Sequence, residues 1–94
     1  MTDVSKYETA VKHFLRMNEH VTMYDEEIRN LISSALSSLH VAGVKIDDDA
    51  LITDYICTYV RLRMLQDASD VFRTFEKERE LIILTQLKWR PDES

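Results

Sequence analysis

Three histidines, a single cysteine, a run of three aspartates and two pairs of serines are the residues that could do chemistry in this 94-residue chain. His13, His20 and His40 show no HExxH spacing and no accompanying carboxylate pattern, so they assemble no metal set. Their expected place is the surface or its boundary. Cys57 follows Ile56 in the middle of an apolar helical face. An activated thiol needs a positive, partly exposed setting, and a buried core cysteine suits this context better. Asp47, Asp48 and Asp49 lack the alternating oxygen ligands, sixth-position Gly and closing Glu of a calcium loop. Helix capping is their expected role. One glycine cannot build a phosphate-cradling loop, and no Ser/His/Asp set can be argued. The expectation is a protein with no catalytic residues, no cofactor and no metal.

Composition sets the frame for what else such a chain can be. Apolar residues make up 45% and charged residues 31%, enough for one core in one domain. A chain this short buries only about 60–65% of its unfolded surface, so covering by neighbours would help it. One Gly and one Pro are too few for the tight turns of a small sheet protein. A lone cysteine excludes an intrachain disulfide framework. Lys6, Glu8 and Lys12 interrupt every apolar run near the start, so no signal peptide is expected there. The expected product is soluble, made in a reducing compartment and without a membrane partner. With 12 basic against 17 acidic residues and a net charge of −5, phosphate neutralisation is disfavoured, and sequence-specific nucleic-acid binding is not expected.

The elements that must position these residues read as four helices. Val4, Tyr7, Val11, Phe14 and Leu15 recur at spacings of three and four, with Asp3 or Ser5 as a cap. Thr22 and Asp25 form an [ST]-x-x-[DE] start for the second helix, with Glu26 and Glu27 in its first turn. Ile28, Leu31, Ile32, Ala35, Leu36, Leu39 and Ala42 then make one stripe, and Gly43 should end it. Ser33, Ser34, Ser37 and Ser38 read equally as an outward face or as a flat surface that another helix could approach. The third helix follows Asp47, Asp48 and Asp49, and its apolar arc is broader than one partner needs. A helix-turn-helix across Gly43 would begin its recognition helix with those aspartates, which oppose phosphate.

The fourth helix starts near Asp67 or Ser69 and places Val71, Phe72, Phe75, Ile82 and Trp89 on one row. Residues 76–80 read as a solvated charged turn. Pro91 should stop the helix, giving a domain over 1–90 and a loose tail over 91–94. The expected fold class is all-α, a small bundle of about four helices with little or no sheet. Its expected core is Val11, Phe14, Ile28, Leu31, Ile32, Leu36, Leu39, Tyr55, Ile56, Tyr59 and Phe75. Leu81, Ile82, Ile83 and Leu84 sweep around most of a turn and cannot all face that core. Exposed contiguous apolar surface marks interaction sites, so Leu81, Ile83, Leu84, Leu87 and Trp89 are the expected contact residues, Ile83 foremost.

Four stretches resemble the head–tail connector (adaptor) proteins of long-tailed bacteriophages. They are the opening from Tyr7 through Val11, Lys12, Leu15 and Arg16 to Met17, and the acidic start Tyr24, Asp25, Glu26, Glu27 and Ile28. The others are Asp48, Asp49, Ala50 and Leu51 ahead of Thr58, Tyr59, Val60 and Arg61, and the run Phe72, Arg73, Thr74, Phe75, Glu76 and Lys77. Gln66, Asp67, Ala68 and Ser69 depart from the Gly- or Asn-rich turn of many members. The resemblance implies a structural virion protein at the head–tail interface, assembled in the host bacterial cytoplasm. It implies a ring of this chain with itself, a dodecamer, docked on the portal protein and meeting a tail-side connector or stopper protein. The contact residues above would then meet a neighbouring subunit or the portal. The competing reading is a small helical regulatory or protein-interaction module, adaptor- or antitoxin-like.

Overall fold

The spacing that predicts four helices is realised as α1 (Val4–Phe14), α2 (Asp25–Val41), α3 (Ala50–Met64) and α4 (Asp70–Lys88). The structure is a computed structural model, which describes residues 4–16, 23–46, 50–64 and 69–89. No strand occurs among the described residues, so the fold is an all-α bundle. The predicted caps at Asp3, Thr22, Asp47, Asp48, Asp49 and Asp67, the side chain of Ser5, and the tail over 91–94 lie outside the described residues.

Local chemistry explains the helix ends that are described. Gly43 adopts φ 80°, and its N–H donates to His40 O at 3.0 Å while Val44 N–H donates to Leu39 O at 2.9 Å. That is the paired 5→2 and 6→1 closure of a left-handed C′ glycine, with the apolar Val44 folded against the helix it ends. A Cβ at Gly43 would meet nothing within 4 Å, so the backbone conformation, not space, demands glycine there. At the end of α1 the same role falls to Arg16, at φ 59°, where a side chain costs about 1 kcal/mol. For α4, Ser69 is the cap: its Oγ accepts from Phe72 N–H at 3.2 Å.

The start of α2 departs from expectation. Tyr24 occupies the cap position and makes no side-chain cap. Asp25 instead receives Lys12 Nζ of α1 at 2.6 Å, with the Lys12 side chain only 8% exposed. Lys12, expected on the wet face of α1, is therefore buried, and the pair joins α1 to α2. Removing one partner would strand a charge, the costly way to break such a pair. Arg29 adds a second link through Glu8 at 2.8 Å.

Packing centres on α3, which touches each of the other three helices, while α4 packs chiefly on α3. Ile52, Tyr55, Ile56, Cys57, Thr58 and Val60 of α3 are all buried. On an ideal helix those positions span about 260° of the circumference, so α3 has to be wrapped rather than laid on a surface. The α1–α2 pair covers one flank and α4 another. Of the expected core, Val11, Ile28, Ile32, Leu36, Leu39, Tyr55 and Ile56 are buried, and Phe14, Leu31 and Tyr59 are partly buried against them. Phe75 is a correction: it is 67% exposed, because α4 turns a different face to α3. Truncating the buried Leu36 to Ala should cost about 2–5 kcal/mol, measured by denaturant unfolding; a loss under about half a kcal/mol would place α2 the wrong way round.

Candidate assembly surface

α4 carries two apolar faces, and its inward one is fixed by charge as much as by carbon. Ile83 and Leu87 are buried, together with the carboxylate side chain of Glu76. Glu76 was expected in a solvated turn. It points inward because α3 ends in arginines: Arg61 Nη1 lies 3.7 Å from Glu76 Oε1. Phe72 of α4 and Phe14 of α1 face the same guanidinium, 4.8 and 5.3 Å from its carbon. Such cation–aromatic contacts contribute about 0.5–2 kcal/mol, and this one ties three helices at one point. Next along, Arg63 stacks on Tyr59 at 3.3 Å and reaches Glu80 at 3.3 Å.

The opposite side of α4 is left uncovered. Val71, Phe75, Leu81, Ile82 and Trp89 are all exposed. Four of them, Val71, Phe75, Ile82 and Trp89, fall within about 40° of one another on an ideal helix, and roughly 130° from the buried face. Thr74 and Thr85 share this side, and their hydroxyls donate back to Asp70 O and Leu81 O, each at 2.8 Å. Phe75, expected in the core, thus lies with Val71, Ile82 and Trp89 on an outer apolar row that the exposed Glu78 interrupts. At its N-terminal end Val71, Thr74 and Phe75 floor an open groove of about 290 Å³, rimmed by Asp70 and Glu78.

The expected contact residues divide between these faces. Leu81 and Trp89 are exposed, Leu84 is half-buried, and Ile83 and Leu87 belong to the chain's own core at 6% and 4% exposure. Ile83 and Leu87 are therefore corrections, and Ile82 takes the outward place expected of Ile83. Phe75 and Val71 were missed as surface residues; their alignment with Ile82 and Trp89 at spacings of four and seven was the available signal.

Burial first, and the Asp54 charge second, push the Cys57 thiol up from 9.0 to about 11, against a weaker opposing pull from Arg79. It is a protonated core group near neutral pH. No group of three His, Cys, Asp or Glu side chains converges among the described residues, and no helix there is long and apolar enough to cross a membrane.

Two outcomes follow from this geometry. Ile83→Lys should unfold the chain, whereas Ile82→Lys should leave helical content and thermal midpoint nearly unchanged; circular dichroism separates them. Cys57 stabilises the fold as a neutral thiol, fully so below its unfolded value near 9 and decreasingly as pH climbs toward about 11. The wild-type midpoint should accordingly fall across that window, and Cys57→Ala should flatten the fall.

Comparison with known proteins bears on what covers the outer stripe. No curated protein and no solved structure matches the chain. One family model does, described as phage connector protein, over residues 9–90. The match runs from within α1 past the end of α4, across both faces just described, and so the chain belongs to the phage connector protein family.

Proposed function

We propose that this chain is one subunit of a head–tail connector ring that docks on the portal and extends the DNA conduit to the tail. Family membership makes it a structural connector component of a bacteriophage particle; the ring and its docking are the finer reading. The observation that carries it is the second apolar face of α4. Val71, Phe75, Ile82 and Trp89 would stay wetted in a lone subunit, and large apolar side chains exposed together on one side of a helix point to a contact site. A closed ring buries one such patch per subunit against a different patch on the next, and rotation closes it.

The partners of this reading are further copies of the chain, as a dodecamer, the portal protein on one side, and a tail-side connector or stopper on the other. The contact on α4 comprises Leu81, Ile82, Leu84 and Trp89, with Val71 and Phe75. Assembly would take place in the host bacterial cytoplasm, and the finished ring would sit at the head–tail interface. The net charge of −5 is compatible with a conduit that passes DNA without holding it, since adhesion to phosphate needs clustered cations.

A phage carrying Ile82→Lys and Trp89→Lys in this gene tests the reading. Both side chains are exposed, so the chain should still fold. Electron microscopy of lysates should show heads accumulating without tails, and infectious titre should collapse. Normal titre and fully tailed particles would contradict the assembly role of this face.

A further inference from the structure

The two halves of α4 are attached to α3 by different means. The second half buries Ile83 and Leu87. Across residues 70–80 no apolar side chain is buried, and the one buried side chain is that of Glu76. Its partner Arg61 stands 3.7 Å away, too far for a direct hydrogen bond. Glu76 Oε2 is buried and has no hydrogen-bond partner among the described residues. A buried carboxylate held so loosely recovers little of the hydration it has lost. Other ties of this half also run through charged groups. Phe72 is half-buried beside Arg61, Arg63 reaches Glu80, and Arg79 lies 6.0 Å from the Phe14 ring.

Local propensity adds little to these ties. Val71, Phe72, Thr74 and Phe75 are β-branched or aromatic, and both kinds lose side-chain freedom in a helix. Tertiary support is also one-sided, since α1 and α2 each pack on two helices and α4 packs chiefly on one. Stretches with few buried apolar contacts are where a protein opens short of global unfolding. The same turns floor the outer groove through Val71, Thr74 and Phe75, so that groove exists only while they are wound and docked.

We propose that residues 70–80 of α4 open from α3 as a local unit while Ile83 and Leu87 stay docked, with Arg61 as the latch. The latch thereby governs whether the outer groove is formed. This device goes beyond the ring reading and does not depend on it.

Hydrogen exchange of the purified full chain, resolved by peptide mass spectrometry, tests it. In wild type the amides of 73–80 should be at least about tenfold less protected than those of 28–35, the corresponding turns of α2, and those of 53–60 in α3. Arg61→Met strands the Glu76 carboxylate and should lower protection of 73–80 by a further factor of roughly ten, with 28–35 little changed. Adding Glu76→Met removes the stranded charge and should return most of that protection. Circular dichroism reports whether the variants fold, and the wild-type profile decides by itself if Arg61→Met does not. Equal protection of 73–80 and 28–35 in wild type overturns the proposal. So does an Arg61→Met variant that loses protection evenly over all helices, or a double variant no better protected than the single one.

Discussion

The structure depends on one constraint: α3 is apolar and buried over most of its circumference, with only a narrow polar strip at Asp54 and Arg61. Ile52, Tyr55, Ile56, Cys57, Thr58 and Val60 are buried around most of its circumference, and a helix of that kind must be largely enclosed. Fifteen residues of α3 cannot be covered by one partner, so α1, α2 and α4 are each drawn onto it. The ion pair Lys12–Asp25 keeps α1 beside α2 on one flank. Arg61 and Arg63, in the last turn of α3, hold α4 on another. A small chain that spends its helices enclosing one of them has none left to cover the outer side of α4, and that shortfall produces the surface on which assembly is argued.

Much of this architecture is legible in the sequence where a residue has only one physical role. Gly43 is the sole glycine and follows a clean stripe, and it closes α2 in the left-handed conformation expected of it. Ser69 precedes a helical run and caps it. The breadth of the α3 arc is plain from residues 51–62 and signals enclosure before any contact is known. The resemblance to connector proteins, carried by four short stretches, agrees with the family match over residues 9–90.

The facing of α4 was not legible, for a definable reason. Two apolar stripes compete on it, and periodicity alone ranks the one with Phe75 and Trp89 at least as high. Treating Glu76 as solvated removes it from the inner face and tips the choice the wrong way. The deciding partner, Arg61, sits on another helix, and no local pattern announces that pairing. Asp25 failed similarly, since its first-turn position argues for capping while its actual partner is Lys12, thirteen residues earlier in α1. Charged residues that pair across helices are where single-helix periodicity loses its authority, because tertiary pairing overrides the polar-means-outside assumption.

The central claim is that the uncovered side of α4 is covered in the particle by another subunit. Cryo-electron microscopy of the neck of assembled virions measures this most directly. The account predicts a closed ring of this chain between portal and tail, with α3 enclosed within each subunit and Val71, Phe75, Ile82 and Trp89 buried at a contact. A neck lacking the chain, or a ring in which that row faces solvent, would contradict it.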